Sequence, residues 1–486
     1  MEDSMVTLDV ASICSATSSI LVAGDPNRIA KGVAIDSRAV GTDGLFVAFV
    51  GERTDGNAYA PAAIQNGAAC VVLTADPTEE LLALAAEKHC AVVRAAHDDG
   101  EEFLLRLTQA WRQKHAEWLV VGVTGSVGKT TTKDMLAAAI SAQYRTHATK
   151  GNFNNLIGLP LTLLSAPEDT QVIVAEMGMN HPGEIARLAA AVRPTLAVIT
   201  NIGTSHIGLL GSRENIAKAK AEIVSGMAQA TLESMQIEPC LYLTSSDDFS
   251  SYIDSKYAQV NSIATSYVGI SSHDNLSAQN IKLTDEGYVC CDVYYENGDI
   301  QPAQLPIPGK HLLNDYLLAL AVADKLNINH KASIEAIQTM PQTHMRLEIV
   351  GGGNKPRMID DSYNASPSSM AAALDVLTSL PCTGKRVAVL GEMGELGQMA
   401  PQLHNYVGAY AAGKPLDMLV LIGSEFVGGM REAAITMGMS DDKIEMFDSV
   451  DSAVAALKPI LDPQDLVLAK ASRSSALDLF VKGVLA

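Results

Sequence analysis

Residues 120–132 read Val-Val-Gly-Val-Thr-Gly-Ser-Val-Gly-Lys-Thr-Thr-Thr, an apolar run that breaks directly into a glycine turn. Few folds accommodate this. The apolar run suits a strand buried on both faces, and such strands belong to parallel sheets covered by helices. Gly125 and Gly128 let the backbone curl so that successive N–H groups, those of Ser126, Val127 and Thr131 among them, face phosphate oxygens. Lys129 supplies a mobile cation for the β- and γ-phosphates, and the Thr130 hydroxyl can coordinate Mg²⁺. A helix predicted from 133 to 142 turns its positive dipole end toward the same anion. The longer G-x-x-x-x-G-K-[ST] form would need glycine at Val123, so this is the shorter G-[ST]-x-G-K-T-T variant. Strand, loop and helix together predict a nucleoside triphosphate site, with Lys129 facing solvent when the loop is empty.

At 486 residues the chain should hold about three domains. A net charge of −20 disfavours a nucleic-acid or anionic-membrane partner, because a polyanion would be repelled over most of the surface. Cys14, Cys70, Cys90, Cys240, Cys290, Cys291 and Cys382 are odd in number and lack metal-ligand spacing, which suggests idle thiols in a reducing compartment. No basic-then-apolar leader and no membrane-length apolar run is present, so a cytoplasmic protein without membrane insertion is expected.

Periodicity divides the chain into three α/β units. Strands predicted over 44–50 and 69–73, with a helix over 58–66, form a small N-terminal unit (residues 1–112). A helix over 101–115 leads into a central unit (113–338). There, buried-type strands over 171–176 and 196–200 flank a helix over 183–192, residues 278–305 alternate like antiparallel strands, and a helix over 312–325 follows. The Ser- and Asp-rich stretch 229–267 is expected to be an irregular insertion. In the last unit (339–486), strands over 386–391, 418–423 and 465–469 run into glycine or polar residues, which predicts a second doubly wound sheet.

Beyond the loop, Glu176 ends a strand where a carboxylate could hold Mg²⁺. His206 follows the strand over 196–200, and Lys218 and Lys220 lie on the next predicted helix. Taken alone, these last three read as ordinary surface residues.

The chain as a whole resembles the Mur ligases, ATP-dependent amide-forming enzymes of peptidoglycan precursor synthesis. The likeness rests on Asp36-Ser37-Arg38, the phosphate loop, Gly151-Asn152-Phe153-Asn154-Asn155 and Glu176-Met177-Gly178-Met179-Asn180-His181. It continues through Thr200-Asn201-Ile202-Gly203-Thr204-Ser205-His206, Ala217–Ile223, Gly309-Lys310-His311, Met345-Arg346-Leu347-Glu348, Asp360–Pro367 and Leu390–Gly397. The Asp-Asp-Ser-Tyr-Asn-Ala-x-Pro and Gly-Glu-Met-x-Glu-Leu-Gly runs point to the branch that joins D-alanyl-D-alanine to a UDP-N-acetylmuramoyl-tripeptide.

The resemblance implies ATP and Mg²⁺, with Thr130, Glu176 and His206 as metal ligands and Lys220 matching a lysine that the family carbamylates. It also implies that Lys129, Glu176, His206 and Lys220 carry the chemistry. Asn314 would face adenine, while Arg346 and Asp361 would reach phosphate and ribose from the third unit. Ser37, Arg38, Asn154, Asn155, Tyr363 and Asn364 would contact substrate, and a monomer is expected. Three positions depart from the family pattern. Val127 replaces a commoner polar residue, with its N–H expected to remain available. Leu312 breaks His-Asn-x-x-Asn, where an ungapped count puts Asp315 at the second asparagine. Ala471 stands for glycine, which puts the local backbone in question. The competing readings are a ligase of another branch and a P-loop NTPase that makes no bond.

Overall fold

The computed structural model describes residues 6–51 and 54–486. Its three main sheets follow one another along the chain. The first has six strands in the spatial order Thr7–Asp9, Ile29–Ala34, Gly44–Val47, Cys70–Leu73, Ala91–Arg94 and Ile20–Ala23. Its inner strands are parallel and both edge strands run antiparallel.

The central sheet has nine strands. From one edge it runs Thr146–Ala148, Val172–Glu176, Leu119–Thr124, Leu196–Ile199, Cys240–Thr244, Ala264–Gly269 and Leu276–Leu283, all parallel. Val289–Tyr295 and Ile300–Gln304 then complete it antiparallel. The stretch 229–267 is therefore no irregular insertion, since it contributes a hairpin (Ala230–Leu232 with Met235–Ile237) and two parallel strands of this sheet. Only Val268 and Gly269 of Ala-Thr-Ser-Tyr-Val-Gly are buried, and parallel pairing with Cys240–Thr244 overrides its weak strand signal. The helix after the phosphate loop is Lys129–Ser141, starting four residues before the sequence suggested. Gly128, at φ 87°, supplies the left-handed turn that starts it there.

The third sheet orders its strands Glu348–Gly351, Arg357–Asp360, Leu466–Lys470, Arg386–Gly391, Met418–Ile422 and Ile444–Phe447. All but the first pair are parallel. Ala471 is fully buried and lies outside the left-handed region, so alanine strains nothing here. Its methyl fills space left open by Gly391, where a Cβ would come within 2.6 Å of it.

The helix Gly100–Lys114 joins the first sheet to the second. Arg112, 6% exposed, donates to three carbonyls: Val192 O at 3.0 Å, His115 O at 2.7 Å and Trp118 O at 2.9 Å. Burial lowers its pKa to about 10. Arg112→Met would leave all three carbonyls without this donor, at an expected cost of about 3 kcal/mol or more. Arg112→Lys should recover only part, because an ammonium lacks the planar fork. Thermal unfolding checks both, and a melting temperature unchanged in Arg112→Met would refute the assignment.

Candidate active site

The strand Leu119–Thr124 delivers the phosphate loop between the carboxyl ends of Val172–Glu176 and Leu196–Ile199, where ligands of parallel sheets bind. The segment after Leu196–Ile199 cinches this loop. Ser126 N–H donates to Asn201 O (3.0 Å), and Val127 N–H donates to Asn201 Oδ1 (3.1 Å). The Val127 carbonyl accepts from Thr200 Oγ1 (2.5 Å) and Asn201 Nδ2 (2.9 Å). The N–H groups of Ser126 and Val127 are thus engaged by Asn201 and not left free to face phosphate as the sequence suggested. A Cβ on Gly125 would fall 1.9 Å from Thr200 Oγ1, so only glycine fits.

Two amines converge on the Gly125 carbonyl: Lys129 Nζ at 2.9 Å and Lys220 Nζ at 2.8 Å. Lys129 is accordingly folded back onto its own loop, contrary to the solvent-facing expectation. Burial lowers its pKa. Lys220 is 1% exposed, and burial, reinforced by the charge on Lys129, drives its pKa well below the ordinary lysine value. Lys218, two positions earlier, is exposed and paired with Glu214 at 2.7 Å. The helix Arg213–Ala221 thus turns one lysine to solvent and buries the other.

Glu176 is 1% exposed. Its Oε1 accepts from Asn154 Nδ2 at 2.8 Å, while Oε2 is buried without a hydrogen-bond partner. His206 Nδ1 also lacks an aligned hydrogen bond, although Glu395 Oε2 lies 2.7 Å away. The unsatisfied Glu176 oxygen beside a phosphate loop fits a cation that draws the rest of its shell from phosphate and water. Among the described residues no group of three or more His, Cys, Asp or Glu could hold a metal unaided.

A cavity of about 760 Å³ joins these parts. Ser126 to Thr131, Glu176 and His206 line one side, and Asn154 and Asn155 another. Arg346, Asp361, Tyr363 and Asn364 close it from the third unit. Asn155 Oδ1 accepts from the N–H groups of Ile157 and Gly158, so its carbonyl caps the following helix. Arg346 lies over the Tyr363 ring, 4.2 Å from the centroid.

Some sequence candidates fall elsewhere. Gly125 and Lys220 stand behind the cavity wall. Ser37 and Arg38 remain on the first unit, where Asp36 caps the short 3₁₀ turn Ser37–Ala39 and pairs with Arg38 at 2.7 Å. Asn314 does not line the cavity, and its amide donates to Ser246 Oγ at 3.0 Å. Asp315 lines it instead, buried and so close to the loop that a Cβ on Gly128 would meet its Oδ2 at 2.5 Å. The ungapped count was the signal for Asp315. Burial raises its pKa to about 8. Sequence reasoning also missed the roles of Asn201 and Lys470. Lys470 Nζ contacts Asp361 Oδ2 (2.5 Å) and donates to Asn364 O (2.9 Å), at 2% exposure.

A P-loop on one parallel sheet, covered by a second doubly wound sheet and preceded by a small α/β unit, defines a three-part ATP-dependent ligase architecture. Residues 30–111 match the Mur ligase family catalytic domain, 123–323 the Mur ligase middle domain, and 345–473 the Mur ligase glutamate ligase domain. The chain belongs to the Mur ligase family. It is 34% identical to the UDP-N-acetylmuramoyl-tripeptide–D-alanyl-D-alanine ligase of Bacillus subtilis over 94% of this chain and 93% of that one. It is 29% identical to the Escherichia coli enzyme of the same name, over 93% of each. The crystal structure of MurF from Acinetobacter baumannii superposes with a TM-score of 0.86 at 27% identity, covering 99% of both chains.

Asp315 gives the site a stability signature. Its raised pKa keeps it protonated in the folded chain, while the unfolded chain ionises from about pH 4. The folded state is therefore penalised progressively as pH rises from about 4 to about 8. Asp315→Asn, which does not titrate, should gain melting temperature relative to the parent chain across this window. A constant difference between the two would overturn the assignment.

Proposed function

We infer that the chain is an ATP-dependent ligase that adds D-alanyl-D-alanine to a UDP-N-acetylmuramoyl-tripeptide, a step of cytoplasmic peptidoglycan precursor synthesis. One observation carries the reading: a single cavity is walled by the phosphate loop, by Asn154, Asn155 and Glu176, and by Asp361, Tyr363 and Asn364 of another unit. The relatives at 34% and 29% identity, which carry that activity in their names, agree with it. No helix among the described residues is long and apolar enough to cross a membrane.

A carboxylate resists attack by an amine until one of its oxygens becomes a leaving group. Transfer of the γ-phosphoryl of ATP to the terminal tripeptide carboxylate accomplishes this, giving an acyl phosphate and ADP. The D-alanyl-D-alanine amine then attacks the carbonyl carbon. A tetrahedral intermediate forms, phosphate departs and the amine loses a proton. Lys129 needs only to leave the Gly125 carbonyl to meet charge on the phosphoryl, and the N–H groups of the first helical turn, from Lys129 onward, would orient it. Arg346 and Asp361 would reach phosphate and ribose, and Asp361 is held in place by Lys470. Asn154, Tyr363 and Asn364 would contact the peptide, with Ser37 and Arg38 toward the uridine end. Closure of the third unit excludes water from a hydrolysable intermediate. Thr130, Glu176 and His206 would hold Mg²⁺, which neutralises developing phosphoryl charge when bound.

Lys220 fits carbamylation. Reaction with CO₂ needs a neutral amine, which burial provides, and it would convert a would-be cation behind the phosphate loop into an anion. The carbamate would have to turn away from the Gly125 carbonyl that now holds Nζ.

ATP turnover should require both the UDP-linked tripeptide and D-alanyl-D-alanine, with the dipeptide-extended product visible by mass spectrometry. Comparable activity with glutamate or a diamino acid would overturn the assignment. Lys129→Ala should lose on the order of 10²-fold or more in turnover. Lys220→Ala should also lose turnover, with partial recovery on adding formate or acetate. Under ¹³CO₂ the parent chain should show a carbamate carbon signal that this variant lacks. Absence of that signal from both would exclude carbamylation.

A further inference from the structure

The run Gly391-Glu392-Met393-Gly394-Glu395-Leu396-Gly397 leaves the carboxyl end of the strand Arg386–Gly391 and takes no part in the chemistry above. Its residues are anchored one after another. Glu392 Oε1 accepts from the N–H groups of Glu425 and Phe426 at 2.7 and 2.8 Å. Met393 N–H donates to His404 Nε2 at 2.8 Å, and Gly394 N–H donates to Ser472 Oγ at 2.7 Å. These bonds tie the loop to its own unit and leave Glu395 projecting from it.

Glu395 has a backbone φ of 63°, a left-handed conformation unfavourable for any residue with a Cβ. From there its side chain crosses to the central unit, where Oε2 lies 2.7 Å from His206 Nδ1. Its carbonyl accepts from Gly208 N–H at 3.1 Å. His206 is itself left-handed, at φ 63°. The two backbones touch at the same place: a Cβ on Gly208 would lie 2.4 Å from Gly397 N, and one on Gly397 would lie 2.7 Å from Gly208 Cα. A casual surface contact requires neither strained backbone on both partners nor glycine at the closest approach.

We propose that Glu395 is a positioning residue for the ligation, delivered by the third unit onto His206 when the units close, with Gly208 and Gly397 as the seat of that closure. It acts through His206, fixing the imidazole at the edge of the nucleotide cavity. An open arrangement then lacks a correctly held His206, so phosphoryl transfer is coupled to closure. The inference rests on the ligase reading above.

The test compares Glu395→Ala, Glu395→Gln and Gly208→Val with the parent chain. Glu395→Ala should lose on the order of 10²-fold in kcat, with the KM for UDP-tripeptide and the melting temperature little changed. Glu395→Gln should recover part of that loss, because its amide oxygen still faces the imidazole. Gly208→Val, which removes no polar group, should lose kcat as well. By small-angle X-ray scattering with a non-hydrolysable ATP analogue and UDP-tripeptide, it should stay more extended than the parent chain. Glu395→Ala turnover within about twofold of the parent, or a Gly208→Val chain as compact and as active as the parent, would overturn the proposal. Failure of the parent chain to ligate the dipeptide would sink the ligase reading instead, so the two failures are distinguishable.

Discussion

The carbonyl of Gly125 organises the catalytic face. It accepts from Lys129 at one side and from the buried Lys220 at the other, so two amines share one oxygen. Two ammonium groups at such a separation repel, and burial adds a desolvation cost to each. Lys220 is the deeper of the two and the one driven furthest toward neutrality. The arrangement depends on Gly125 having no side chain, because Thr200 occupies the space a Cβ would need. Thr200, Asn201 and Ser205 in turn hold the next residues of the loop. The strand Leu196–Ile199 therefore shapes the phosphate loop as much as the loop's own glycines do.

The strands and the loop were readable because their information is local. A parallel strand buried on both faces is a continuous apolar run, and 120–124, 172–176, 196–199 and 386–391 all look like one. The strand Ala264–Gly269 was hidden by its polar, partly exposed sequence, and Cys240–Thr244, although a buried Cys-Leu-Tyr-Leu-Thr run, by the Ser- and Asp-rich residues that follow it. Their place comes from neighbours far away in sequence. The same division runs through the site. Lys129 and Thr130 announce themselves within one turn of chain. The grip of Asn201 on Val127, the pairing of Lys470 with Asp361 and the projection of Asp315 toward Gly128 join segments 74, 109 and 187 positions apart, as the numbering shows. Only the family likeness hinted at such positions, and of the neighbouring pair Asn314 and Asp315 it is Asp315 that lines the cavity.

The third unit is built differently from the central one. Its contributions to the cavity leave the ends of strands as loops, yet each loop is tied down within its own sheet. The buried Lys470–Asp361 pair illustrates the logic. Such a pair adds little net stability, because desolvation of both charges offsets their attraction, but breaking it would strand one charge in the interior. Its effect is to fix position: the Asp361 side chain is clamped by Lys470 and by the Leu347 N–H at 3.3 Å. The loop carrying Tyr363 and Asn364 leaves from that clamp, and the Asn364 carbonyl is held by the same lysine.

Ser472 shows how the two halves of this construction meet. Its hydroxyl accepts the Gly394 N–H, and its own N–H donates to the Glu392 carbonyl at 3.0 Å. The short run Lys470-Ala471-Ser472 thus serves the Asp361 clamp with its first residue and the Glu395 loop with its last. Between them Ala471 packs against Gly391, and the fit of that methyl sets the spacing of the two strands at the point where both loops depart. Were the unit to move as one body, Asp361, Tyr363 and Glu395 would travel to the central sheet together. Nucleotide, peptide and His206 would then meet their partners in one motion, which is what an enzyme guarding a water-sensitive acyl phosphate requires.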